Sequence, residues 1–130
     1  MKIFIENLIQ GKEIMIKGSP SQRLDFTYID DVVEITKKLL FTKKNKLNHS
    51  IFNVCSNKPI KITKIINFFQ NKYGDVKIKK ILRNKLDVKN THGSNEKVKK
   101  VTSFSKFTDY KSGIINSFEW YKKYKVHKIK

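Results

Sequence analysis

The sequence is poor in cysteine, proline, glycine and arginine: one, two, five and two residues respectively among 130. A single cysteine, Cys55, excludes an internal disulfide and fits a reducing compartment. No histidine sits within a pairing motif around it, so it is expected to pack as a small apolar residue and not to act as a nucleophile. His49, His92 and His127 are far apart in sequence and have no cysteine at ligand spacing, which argues against a zinc site. No apolar run approaches the roughly 20 residues of a membrane span. The opening residues Met1 to Asn7 carry an early acid, Glu6, and no small-residue cleavage site, so no secretory signal is expected. These absences lead to the expectation of a cytoplasmic protein with no membrane partner.

Acidic residues are also scarce. Eleven Asp and Glu stand against 29 Lys and Arg, giving a formal net charge of +18. Such a surface attracts polyanions, and a basic nucleic-acid-binding module is therefore the alternative function to carry forward. Two features weigh against it. Base-edge recognition favours arginine forks, and Arg23 and Arg83 are the only arginines. The lysines are spread through the whole chain and form no single stripe. The hydrophobic content of 38% supports a core for one modest domain or a piece of a larger one. A domain of this size buries only roughly two-thirds of its unfolded surface, so a missing neighbouring layer would matter.

Apolar spacing organises the chain into alternating elements. Ile5, Leu8 and Ile9 recur at helical spacing, and Gly11 follows where a C-cap belongs. Ile14 to Lys17 is a short extended run closed by Gly18 and Pro20. Asp25 to Ile29 is rich in β-branched and aromatic residues and predicts a strand. Asp30 and Asp31 then predict a helix N-terminus, with Val32, Ile35 and Leu39 on one face. Past a polar loop, Lys43 to Asn48, the run Ile51 to Val54 predicts a buried strand. Thr63 is placed to cap a helix carrying Ile62, Ile65, Ile66, Phe69 and Tyr73, which Gly74 stops. Val76 to Leu82 alternates apolar residues with lysine, predicting a strand with one wet face. Residues 83–95 look irregular. A last helix, about Thr108 to Tyr124, is capped by Thr108 or Asp109 and followed by a basic tail. This alternation is that of an α/β fold with crossover connections.

Signatures of stand-alone chemistry are missing. No glycine-rich loop follows a strand to cradle a dinucleotide phosphate. No Tyr-x-x-x-Lys pair stands where the lysine would lower a tyrosine base's pKa. Asp30 and Asp31 have the composition of an acid/base dyad, but their place just before an apolar helical stretch favours capping.

The stretch Gly18-Ser19-Pro20-Ser21-Gln22-Arg23-Leu24-Asp25-Phe26-Thr27-Tyr28-Ile29-Asp30-Asp31 resembles the "G-x-x-x-Q-x-R-D-F-x-Y-V-x-D" segment of the extended short-chain dehydrogenase/reductase family, the NAD-dependent nucleotide-sugar epimerases and dehydratases. Four flanking stretches agree, in order. Gly11 to Ile16 is similar to "G-K-P-I-x-V", and Phe52-Asn53-Val54 with Pro59 to "Y-N-I-G-x-x-x-P-V". Arg83 to Val88 is similar to "R-P-G-D-V", and Phe104, Gly113-Ile114 and Glu119-Trp120-Tyr121 to the closing helix. The match is best to the UDP-glucuronate 4-epimerase-like branch. The resemblance implies that residues 1–124 are the C-terminal, nucleotide-sugar-binding portion of a Rossmann-type epimerase, with 125–130 a basic tail. It implies a UDP-sugar ligand, with Ile16 on the strand bordering the nucleotide pocket and Arg23 and Arg83 as phosphate ligands. A guanidinium suits that task because it forks onto phosphate oxygens and stays charged. No catalytic residue is implied in this chain. The NAD site and the catalytic Tyr and Lys would belong to an absent dinucleotide-binding half, separately encoded if the protein is split. Without that half, the chain is expected to be inactive, and Ile51 to Val54 would be an unpaired edge.

Departures from the pattern are specific. Leu24 occupies the family arginine's place, with Arg23 one residue earlier, a shift that turns a strand side chain to the opposite face. Cys55, Leu86 and Ser103 replace glycines, and Ser94 an aspartate. Where a glycine position requires positive φ, its replacement strains the loop.

Overall fold

The computed structural model describes residues 1–43, 49–84 and 87–124; most of the polar loop, Leu86 and the basic tail with His127 lie outside the described residues. The elements run α1 (Lys2–Ile9), β1 (Ile14–Lys17), β2 (Arg23–Leu24), α2 (Ile29–Leu40), β3 (Ile60–Lys61), α3 (Ile62–Tyr73), β4 (Ile78–Ile81), α4 (Glu96–Thr102) and α5 (Tyr110–Tyr124). β1 and β4 pair in parallel, Ile14 opposite Ile78 and Lys17 opposite Ile81. Parallel strands need a long crossover, and the segment carrying α2 and α3 supplies it. β2 and β3 form a second, antiparallel ladder, with Arg23 opposite Lys61 and Leu24 opposite Ile60.

The core gathers around α3. Ile62, Ile65 and Phe69 lie on one face of that helix and are buried. They meet Ile5 of α1, Ile14 and Ile16 of β1, and Ile114 and Tyr121 of α5. Aromatic contacts knit the same region: the Phe69 ring lies 6.5 Å from Phe4 and 5.9 Å from Tyr73, and Tyr73 stacks on Phe118 at 4.4 Å. The glycines predicted to end α1 and α3, Gly11 and Gly74, both have positive φ. Asp109 precedes α5 and accepts the Lys111 amide at 2.9 Å, the expected cap.

Four local expectations need correction. Of the predicted strand and its approach, only Arg23 and Leu24 form a ladder; residues 25–28 belong to none. Side chains replace a neighbouring strand there: Asp25 donates its amide to Thr91 Oγ1 at 2.8 Å, and Thr27 Oγ1 accepts from the Ser56 amide at 3.2 Å. Ile51 to Val54 belongs to no strand among the described residues, and Ile51 is 85% exposed. A segment becomes a strand only when another strand pairs with it, and none does among the described residues. The helix starts also shift. α2 begins at Ile29 and α3 at Ile62, so neither Asp30, Asp31 nor Thr63 is a cap. Buried Asp31 instead accepts from the Thr108 amide at 2.9 Å and the Thr108 hydroxyl at 2.7 Å, fastening α2 to the start of α5. Finally, α4 has no counterpart in the sequence reading. Its seven residues include three lysines, and only Val98 and Thr102 are buried, so its periodic signal is weak.

α4 ends at Ser103, which takes φ 56°, ψ 17° in the left-handed region. Cys55, by contrast, is not among the positive-φ residues. Of these two glycine replacements, therefore, only Ser103 carries backbone strain. A non-glycine residue in that region costs of the order of 1 kcal/mol. Ser103→Gly is expected to stabilise the chain by about 1 kcal/mol, read as a higher urea midpoint at unchanged slope.

Candidate functional site

β1 runs into the candidate site. Ile16 is 1% exposed, and after Lys17 the Gly18 amide donates to Ile81 O at 2.9 Å, extending the β1–β4 pairing by one bond. Gly18 has φ +80°, and a Cβ there would lie 3.1 Å from Arg83 Cβ and 3.2 Å from its Cδ. Any side chain would press on the arginine stem, so glycine lets Arg83 lie flat against the end of β1. The guanidinium donates through Nη1 to the Asp87 carbonyl. Asp87 in turn donates its amide to Asn84 O at 3.0 Å and accepts the Asn84 amide at 3.3 Å. Arg83 is thus half-buried and held by a tight turn.

Arg23 is placed differently. Its amide donates to Asn90 Oδ1 at 2.8 Å and its carbonyl accepts from the Thr91 amide at 3.0 Å. Its exposed guanidinium reaches Pro59 O at 3.4 Å and lines a cleft with Lys61 and Lys64. Leu24, in the family arginine's position, packs on the apolar core beside Phe26. Ile16 and Arg83 are therefore gathered at the end of β1, while no contact among the described residues joins Arg23 to Arg83. Next along, Asp25 accepts from Ser56 Oγ at 2.5 Å and from the Asn57 amide at 3.0 Å. Both its oxygens serve the 55–59 loop.

Tyrosine–lysine pairs at base spacing do occur, at Tyr73–Lys77, Tyr121–Lys125 and Tyr124–Lys128, and neither Tyr73 nor Tyr121 is built as a base. Gly74 ends α3 immediately after Tyr73, so Lys77 does not share its helix face. Burial, then Glu119, holds the Tyr73 hydroxyl above its ordinary 10.0. Tyr121 donates to Glu6 Oε1 at 2.7 Å, and that bond, with burial, raises its pKa as well. Lys125 and Lys128 lie outside the described residues. Cys55 is half-buried, and burial followed by the Asp25 charge pushes its thiol up, away from nucleophilic character.

A second concavity, of about 540 Å³, opens between α1, the start of α2 and α5. It is lined by Ile5, Tyr28, Ile29, Ser117, Trp120 and Tyr121, with Asp30 and Lys2 at its edge. Ile29 is 62% and Trp120 53% exposed, a large apolar surface left in water. No helix among the described residues is long and apolar enough to cross a membrane.

The model of the NAD dependent epimerase/dehydratase family matches residues 1–55. A UDP-glucuronate 4-epimerase of Thermodesulfobacterium geofontis is 31% identical over 121 residues, 92% of this chain. Residues 1–55 thus carry the match to the NAD-dependent epimerase/dehydratase family, and the similarity to proteins of that kind runs along most of the chain. An epimerase of Arabidopsis thaliana, UDP-glucuronate 4-epimerase 5, is 28% identical over 91% of the chain. The epimerase fold covers the same span: a Bacillus cereus UDP-glucuronic acid 4-epimerase, solved with UDP-glucuronic acid and NAD, superposes with a TM-score of 0.83 over 92% of the chain at 24% identity. UDP-glucose 4-epimerase of Thermotoga maritima, solved with UDP-glucose, gives 0.79 over 93%. The chain spans only 36% of the length of the Thermodesulfobacterium relative and 38% of the Bacillus structure. Its α/β fold matches a portion of those Rossmann-type epimerase structures.

The described residues hold no glycine-rich dinucleotide turn after β1. A dinucleotide phosphate needs a glycine-rich turn from a strand into a helix. The loop after β1 has one glycine, leads to β2, and folds back on itself through the Gln22 amide to Ser19 O and the Ser21 amide to Ser19 Oγ.

Proposed function

We propose that this chain is the UDP-sugar-binding portion of an epimerase or dehydratase, inactive alone, which works with a separately encoded dinucleotide-binding half that holds NAD. The carrying observation is the Gly18–Arg83 contact. It puts the stem of half-buried Arg83 against the end of the strand that bears Ile16, where the resemblance expects the nucleotide. Arg83 would contact the diphosphate, and Ile16 would back the nucleotide from the core. Arg23 stands apart from this pair, with its guanidinium turned to the lysine-lined cleft. The exposed groove around Trp120 would receive the partner half, whose bulk corresponds to the part of the relatives' length that this chain does not span. The cytoplasm, where nucleotide sugars and NAD are both at hand, is the matching compartment.

UDP titrated into the chain should move the backbone resonances of Gly18 and of residues around Arg83. Arg83→Gln should weaken UDP by about tenfold to a hundredfold, the worth of a charge-assisted hydrogen bond. Lys38→Gln, on the exposed face of α2, should leave affinity unchanged. No shift at Gly18, or equal affinity in Arg83→Gln, would remove the reading.

A further inference from the structure

We propose that Arg23, Lys61 and Lys64 form a binding site for a small phosphate anion of about diphosphate size, separate from the Arg83 site. Arg23 and Lys61 are direct cross-strand partners in the β2–β3 ladder, while Leu24 and Ile60, one position along, face the core. Two like charges directly opposite each other are destabilising in a sheet. Lys64 adds a third charge from the first turn of α3, a helix end that already carries partial positive charge and has no acid in that turn.

No acidic side chain pairs with the three. All eleven acidic residues lie within the described segments, and none forms an ion pair with Arg23, Lys61 or Lys64. Asp25, the acid nearest in sequence to Arg23, has both oxygens engaged by Ser56 and Asn57. The cations line a cleft of about 240 Å³ completed by Pro59 and Ile60. Their backbones are fixed before any ligand arrives. Arg23 is bonded to Asn90 and Thr91, the Ile62 amide to Gln22 O at 3.0 Å, and the Thr63 amide to Pro20 O at 2.9 Å. A guanidinium on a fixed backbone, without an acidic partner and beside two ammonium groups, is complementary to a phosphate, which accepts a forked pair of N–H bonds and two point charges. Binding such an anion converts the cross-strand repulsion into shared attraction.

The test is inorganic pyrophosphate titrated into the full chain at low ionic strength, followed by backbone resonances. Shifts at Arg23 and residues 59–64 are expected. They should persist in Arg83→Gln and require about tenfold more pyrophosphate in Lys61→Gln/Lys64→Gln. Without anion, Lys61→Gln should melt higher than the wild type, and pyrophosphate should reverse that order. Equal affinity in the double variant, or shifts confined to the Gly18–Arg83 region, would overturn the site. So would a single-stranded oligonucleotide binding these residues with a steep salt dependence while pyrophosphate moves none of them. Loss of UDP binding with the pyrophosphate response intact would count against the UDP-sugar reading and leave this site standing.

Discussion

Phe69→Ala is expected to destabilise the chain by about 3–5 kcal/mol, the range for removing a buried phenyl ring. Phe69 is fully buried in the middle of the α3 core face and touches rings from α1 and from its own helix. Its loss opens a cavity where α1, α3 and the β1–β4 ladder converge, and neighbours held by three separate elements collapse poorly into it. Small domains carry about 5–15 kcal/mol in total, so this one change removes a large share. Urea unfolding of the two proteins reads the difference. Phe69→Leu, which keeps most of the volume, should lose markedly less.

The second large effect is on association. Trp120→Ala is expected to weaken docking of the dinucleotide-binding half by about 2 kcal/mol or more, some thirtyfold. The indole is half exposed at the groove, with Tyr28, Ile29 and Tyr121 around it. A tryptophan in such a concavity is the usual anchor of an interface, because it buries a large area at little conformational cost. Phe41→Ala is the control. Phe41 is 87% exposed just after α2 and does not line the groove, so its removal should leave affinity unchanged. Gel filtration or titration calorimetry with each variant separates the two outcomes.

How much of this was legible in the sequence follows from what sets each feature. Helices with a complete apolar stripe and a glycine stop, such as α3, were readable because the stripe and the φ-positive stop are both local. α4 was not, since two buried residues among lysines leave no periodic signal. Residues 25–28 and 51–54 have strand composition but no ladder, because pairing depends on a partner that composition cannot supply. Asp31 illustrates the same limit for side chains. Its position predicted a cap, whereas its carboxylate is spent on Thr108, 77 residues away. At the site, the one-residue offset between Arg23 and Leu24 was visible at once, and the alternation of the strand foretold opposite faces. The Lys61 and Lys64 neighbours of Arg23 were not visible, because the β2–β3 register that brings them together is a tertiary fact. The Gly18–Arg83 contact belongs to the same class: two motifs read separately meet only through the parallel β1–β4 pairing.

The most direct measurement uses the single tryptophan as a reporter. The part of the Thermodesulfobacterium geofontis relative that this chain does not match is expressed separately, loaded with NAD, and mixed with the chain. The account predicts a one-to-one complex on gel filtration and a blue shift of Trp120 emission as the groove between α1, α2 and α5 is covered. Unchanged emission, with the two components eluting apart at micromolar concentration, would contradict it.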